Sequence, residues 1–108
     1  MNAKAQIDAG ICGFLTTVVA ESQDNQQVTL QIESTCDKIK NLAAVIMSQN
    51  PIDAYVEILP TGRSLILKTA AEQLTGCCAG CVVPAGIFKA MQVAAGLALP
   101  KEIRIKFD

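Results

Sequence analysis

Residues 26–34, QQVTLQIES, alternate between polar and apolar side chains, and this pattern constrains the fold more than any other feature. Val28, Leu30 and Ile32 face one way and polar residues face the other, which is the pattern of a half-buried β-strand. The preceding GFLTTVVAE is rich in β-branched side chains, and the polar SQDNQ between the two segments favours a turn. The sequence therefore predicts a β-hairpin spanning 13–34, with one apolar face that a second layer must cover.

Helical periodicity in three later segments supplies that layer. Ser34 or Thr35 is placed to cap the first helix, Gly76 to end the second in the left-handed conformation, and Pro84 to open the third. Residues 52–59, between the first and second helices, fit either a short strand or a turn of helix. The predicted buried faces are Ile39, Leu42, Ala43 and Ile46 in the first helix, Leu67, Ala70, Ala71 and Leu74 in the second (64–74), and Ile87, Met91, Ala94 and Ala95 in the third (84–99).

A last alternating segment, EIRIKF at 102–107, predicts a final strand. The 108 residues suit one domain, and 51% hydrophobic composition allows a real core. We therefore expect a single α+β domain over 1–108, with two layers. A small antiparallel sheet, made of the N-terminal hairpin and the C-terminal strand, packs against two or three helices.

Composition excludes several classes of function. Histidine is absent, which removes Cys-His and Ser-His-Asp catalysis and every Cys/His zinc finger. The net charge of −1 and the four aromatic side chains argue against nucleic-acid binding. We see no apolar run long enough for a membrane span and no signal peptide, so we expect a cytoplasmic protein. In that reducing compartment, five cysteines do not form a disulfide framework.

The five cysteines fall at the ends of predicted elements. Cys12 lies between two glycines before the hairpin, and Cys36 lies at the junction of the hairpin and the first helix. Cys77, Cys78 and Cys81 lie in the loop before the last helix, where the last two form a C-x-x-C motif. Helix N-termini favour thiolate, the form of cysteine that binds metals and attacks as a nucleophile.

This arrangement resembles the iron–sulfur cluster assembly scaffolds, IscU and the N-terminal domain of NifU. That family has a Cys-Gly before its first hairpin strand, a cysteine between the hairpin and the next helix, and a third before the long C-terminal helix. Here Cys12-Gly13, Cys36 and the loop 77–81 take these places in order, and the similarity covers roughly 10–97. The resemblance implies a cluster site, with a sulfur-donor or cluster-acceptor protein as partner.

The sequence departs from that family in its ligands. Phe14 stands where the family has an aspartate, and no histidine accompanies the third cysteine. The two additional cysteines can replace these ligands and give an all-thiolate site.

We therefore expect a non-enzymatic protein that binds an iron–sulfur cluster through Cys12, Cys36, Cys81 and either Cys77 or Cys78, with Cys78 favoured. Asp8 is a further carboxylate near Cys12, more typical of a turn-capping residue than of a ligand. Three alternatives remain open: a structural zinc site with four cysteine ligands, a thiol redox or persulfide carrier using Cys78 and Cys81, and an interaction domain whose cysteines only pack. A homodimer through an apolar helix face is compatible with the sequence.

Overall fold

The predicted hairpin lies at the centre of the fold. A computed structural model of the chain describes every residue except Thr61. The described residues form four strands, four α-helices and one 3-10 turn at Gly76–Cys78. In chain order, the strands and α-helices are β1 (Asn2–Asp8), β2 (Leu15–Glu21), β3 (Gln27–Ser34), α1 (Asp37–Ser48), β4 (Ile52–Asp53), α2 (Ala54–Glu57), α3 (Leu65–Gln73) and α4 (Val83–Ala94).

The sheet is antiparallel and its strand order is β1-β2-β3-β4. Strands β2 and β3 form the predicted hairpin, with Thr16 opposite Ser34. Strand β1, which places Asp8 opposite Leu15, was not predicted. It does alternate, but its inward side chains are Ala3, Ala5 and Ile7, and alanine gives only a weak strand signal.

The helices cover one face of this sheet, which confirms the α+β fold with two layers. Helix α4 packs across β1 and β2, α1 packs on β3, and α3 contacts both of these helices. The residues predicted to be buried in α1 and α4 are all buried, among them Leu42, Ile46, Ile87 and Met91. The core is therefore aliphatic, as the scarcity of aromatic residues requires.

The predicted face of α3 is partly wrong. Ala70 and Leu74 are buried as expected, but Ala71 is exposed and the Leu67 side chain is 52% exposed. Ile66 is fully buried instead. The segment begins with three consecutive large apolar residues, so its periodicity does not define which of them faces the core.

The predicted C-terminal strand is also wrong. Helix α4 ends at Ala94, earlier than expected, and residues 101–108, all described, form neither helix nor strand. Ile103, Ile105 and Phe107 are 61%, 68% and 91% exposed. The alternation is therefore present in the sequence, but within the described residues no neighbouring strand pairs with it.

Two polar side chains replace missing backbone partners inside the fold. The Asn50 amide accepts a hydrogen bond from Leu30 N at 3.0 Å and donates to Leu30 O at 2.8 Å, as a further strand would. Glu57, 4% exposed, accepts hydrogen bonds from the first backbone N–H groups of α3. Neither role is visible in the sequence, because each partner is remote along the chain.

One stretch of the chain, Gly76–Ala94, is long and apolar enough to cross a membrane by length and composition alone, although the sequence predicted no such run. Its mean hydropathy is 1.5 over the best window, of which 39% is buried in this domain. The core helix of a domain that never enters a membrane passes the same test, and most of α4 serves as such a core helix here.

Candidate functional site

Three chain segments carry the cysteines, and the topology brings them to one end of the sheet. Strand β1 ends there, β2 begins there, and β3 ends there beside the start of β2. Helix α4 begins at the same end, because Gly86 in its first turns lies directly against Ile7 near the end of β1. We call this region the cysteine end: the loop 9–14, the junction 34–37 and the segment 76–82.

The loop 9–14 connects β1 to β2 and carries Cys12 at its tip. Ala9 N donates to Phe14 O, and within this pair Gly13 N donates to Gly10 O at 2.9 Å. Both glycines have positive φ, at 87° and 72°, which is the backbone conformation such a tight loop requires. Cys12 itself is exposed. The prediction placed it before the first strand, but it precedes the second, because β1 comes earlier.

Asp8 closes the base of the same loop, since its Oδ1 accepts a hydrogen bond from Gly10 N at 2.8 Å. This is the turn-capping role favoured by the sequence.

The junction 34–37 holds Cys36 at the N-cap position of α1. Ser34 and Thr35, the predicted caps, make other contacts. Ser34 Oγ accepts from Thr16 Oγ1 at 2.8 Å and from Cys36 N at 3.1 Å, and Thr35 Oγ1 accepts from Leu15 N at 3.2 Å. These bonds fix the junction to β2. Within the described structure, the Cys36 side chain makes no capping hydrogen bond.

The segment 76–82 carries the other three cysteines ahead of α4. Cys77 and Cys78 lie in the 3-10 turn, which begins at Gly76. Gly76 has the predicted left-handed φ, 63°, but it does not end α3 as predicted, because that helix ends at Gln73. Cys81 N donates to Cys78 O at 3.0 Å, so the C-x-x-C motif forms a tight turn. Cys77 is exposed, whereas Cys78 and Cys81 are half-buried.

Lys38 connects this turn to α1. Its Nζ lies 3.5 Å from Cys78 Sγ, and Lys38 is two residues after Cys36. The ammonium group, carried by α1, therefore contacts the segment 76–82 and can pair with a thiolate at Cys78. Lys38 was not among the predicted site residues. Its position in the first turn of the helix that follows Cys36 was the available signal.

The cysteine thiols lie at one end of the sheet, but they are not grouped as the ligands of a bound metal are. Among the described residues, no group of three or more cysteine and carboxylate side chains lies close enough to hold a metal ion. All five cysteines are free, and three of them, Cys36, Cys78 and Cys81, pack against the edge of the core. Partial packing is therefore a real role of these three, while Cys12 and Cys77 reach into solvent.

These features define a small α+β domain whose cysteine-bearing segments meet at one end. The chain belongs to a family of unknown function, DUF6951, whose pattern matches residues 3–107. No curated protein and no solved structure matches the chain.

Proposed function

We propose that the cysteine end binds an iron–sulfur cluster, in a scaffold or carrier role and not as an enzyme. The observation that carries this proposal is the meeting of three separate cysteine-bearing segments at one end of the sheet. Packing alone does not require such a meeting, because core-filling cysteines lie on any inward face. Free thiols at all five positions suit a reducing compartment, and we propose the cytoplasm.

Four of the thiols would hold the cluster: Cys12, Cys36, Cys78 and Cys81. Thiolates are the ligands of both [2Fe–2S] and [4Fe–4S] clusters, so the donor chemistry fits. The same side chains are not grouped in the described structure, so binding has to draw the segments together. The exposed loop 9–14 is the segment with the least packing to oppose such a shift.

The resemblance to the IscU and NifU scaffolds supports the same role. The three cysteine-bearing places on which it rests are a Cys-Gly before a hairpin, a strand-to-helix junction and a loop before the last helix. In this fold they are the three segments of the cysteine end. On this proposal the partners are a protein that donates sulfur and a protein that accepts the cluster.

Metal analysis of anaerobically purified protein tests the proposal. We expect brown protein with visible thiolate-to-iron absorption, and stoichiometric iron and acid-labile sulfide per chain, after isolation or reconstitution with ferrous iron and sulfide. Colourless protein that retains stoichiometric zinc would replace the cluster with a structural zinc site. Protein that binds neither metal under these conditions would refute the metal site altogether.

Adjacent cysteines provide a matched control for that experiment. Changing Cys78 to Ser should abolish or strongly reduce cluster loading, whereas Cys77→Ser should leave it near the wild-type level. Cys12→Ser, Cys36→Ser and Cys81→Ser should behave like Cys78→Ser. Circular dichroism of each apo variant separates loss of a ligand from loss of the fold. Equal loading in all five variants would contradict this ligand assignment.

The contact between Lys38 and Cys78 favours a second candidate, a persulfide carrier. The Cys78 thiolate would attack the terminal sulfur of a donor protein's persulfide, forming a new S–S bond while the donor departs as thiolate. Lys38 would stabilise the anionic sulfur before and after transfer. In this role Cys12 and Cys36 are dispensable. Mass spectrometry after exposure to a persulfide donor should then show one added sulfur, lost in Cys78→Ser and retained in Cys12→Ser.

A further inference from the structure

The C-terminal tail, residues 101–108, combines a strand pattern with an exposed position. Ile103, Ile105 and Phe107 alternate with Arg104 and Lys106, yet all three apolar side chains are more than half exposed. Three large apolar side chains so close together along the chain are costly to leave in water. The pattern is that of a strand without its sheet.

Strand β1 is the open edge of the sheet. Within the described residues it pairs on one side only, with β2, whereas the Leu30 backbone on the opposite edge is covered by the Asn50 amide. The inward side chains of β1, Ala3, Ala5 and Ile7, are only half-buried. An edge with free backbone groups and partly covered apolar side chains is the usual acceptor for an added strand.

We propose that the tail of one chain pairs with β1 of a second copy, as an antiparallel fifth strand of its sheet. Charge complementarity selects the register in which Ile105 lies opposite Ile7. The apolar side chains of the tail then extend the half-buried row of β1, and two pairs of opposite charge form on the outer face. The resulting pairs are Ile103 with Ala9, Arg104 with Asp8, Ile105 with Ile7, Phe107 with Ala5, and Asp108 with Lys4.

The ion pairs that the tail makes within its own chain do not prevent this pairing with β1. Arg104 pairs with Glu102 and Lys106 pairs with Asp108, but all four side chains are at least 70% exposed. Exposed pairs of this kind contribute little free energy, so their loss on docking is small.

The tail of a second copy fits the open edge of β1 better than the chain's own tail does. Residue Gly96 lies beside Asn25 in the β2–β3 turn, at the end of the sheet where β1 begins. A tail running from there along its own β1 would be parallel to it, in a sheet whose strands are otherwise antiparallel. Antiparallel pairing is the more stable arrangement, and a partner's tail can adopt it. Reciprocal exchange of two tails also closes the assembly as a symmetric dimer.

Sedimentation velocity of the full chain under reductant tests the dimer, with protein concentration varied about a hundredfold because dimer population depends on it. We expect a dimer that dissociates on dilution. In this register the backbone of Lys106, opposite Gln6, faces the open edge of β1, because the backbone groups of Ile7 already pair with β2. Lys106→Pro removes that donor and should give a monomer, while the control Lys106→Ala should remain dimeric. Lys106 is exposed in the single chain, so unchanged circular dichroism is expected for both variants.

Charge reversal tests the register. Lys4→Glu and Asp108→Lys should each weaken dimerisation by about tenfold, and the double variant should recover it, because the reversed pair attracts again. Wild-type protein that stays monomeric at every concentration would overturn the proposal, as would a dimer that survives Lys106→Pro. A dimer whose two single charge variants are not rescued by the double variant would overturn the register.

Discussion

Glu57 offers the sharpest test of what holds this fold together. Its buried carboxylate accepts three hydrogen bonds: from Ser64 Oγ at 2.8 Å, Leu65 N at 2.7 Å and Ile66 N at 2.9 Å. Ser64 Oγ in turn accepts from Leu67 N at 3.0 Å. One carboxylate therefore organises the N-terminus of α3, where backbone N–H groups have no partner inside the helix.

Two substitutions separate the charge from the contact. Glu57→Ala leaves three donors without their acceptor in a site that is 4% exposed, and the expected loss is about 3–5 kcal/mol. Glu57→Gln keeps the shape and one oxygen but presents an amide donor to other donors, so we expect a loss of about 1–3 kcal/mol. A domain of this size is commonly stable by only about 5–15 kcal/mol, so the Ala variant should be close to unfolding.

Equilibrium unfolding in urea, followed by far-ultraviolet circular dichroism under reductant, measures both losses. Glu72→Gln is the matched control, because Glu72 lies on the exposed side of the same helix. It should change the unfolding free energy by less than about 0.5 kcal/mol. A Glu57→Ala variant within about 1 kcal/mol of wild type would show that water replaces the carboxylate at little cost, and would refute this account of α3.

Acid and packing provide two further predictions. The pKa of Asp53 is lowered, chiefly by a hydrogen bond from Gln26, so its contribution to stability is present above the usual value of 3.8 and is lost as the pH falls through the lowered pKa. Urea unfolding from pH 6 to pH 2.5 should therefore show a shallower acid loss in Asp53→Asn than in wild type; identical slopes would contradict this. A Cβ added at Gly86 would lie 2.7 Å from Ile7 Cγ1, so Gly86→Ala should destabilise by about 1–2 kcal/mol despite its better helix propensity. In an Ile7→Ala background the same change should stabilise by up to about 1 kcal/mol, and the absence of this sign reversal in thermal or urea unfolding would count against the contact.

Periodicity predicted the parts of the fold whose apolar residues are large and well spaced. The hairpin around Val28 and Leu30, and the helices that bury Ile46 and Met91, followed from such patterns. Strand β1 did not, because Ala3 and Ala5 contribute too little apolar surface to mark an inward face.

Other features depend on contacts with residues that the local sequence does not identify. The alternation around Ile105 indicates a strand, but a pattern cannot say which sheet edge it will join, or in which molecule. The role of Glu57 was not predicted. The groups that donate hydrogen bonds to its carboxylate lie seven to nine residues later, and only the fold brings them close to it.

The candidate site was likewise predicted only where it depends on local sequence. The sequence placed Cys12, Cys36 and the 77–81 segment at element ends, and the topology brings these elements to one end of the sheet. Lys38 was missed, because its place in the first turn after Cys36 does not show which segment its side chain contacts. Whether the sulfurs close around a metal depends on side-chain and loop positions that element order does not determine.

The position of Met1 relative to the cysteines also has a practical consequence. Met1 is hydrogen-bonded to Ser22 through both its amino group and its carbonyl, at the end of the sheet opposite the cysteines. A probe, bead or surface linked through the amino terminus will therefore hold the domain with its thiols pointing outward. Such an orientation lets single-molecule capture or electrode measurements address the thiols directly, while the anchor itself stays one strand length away.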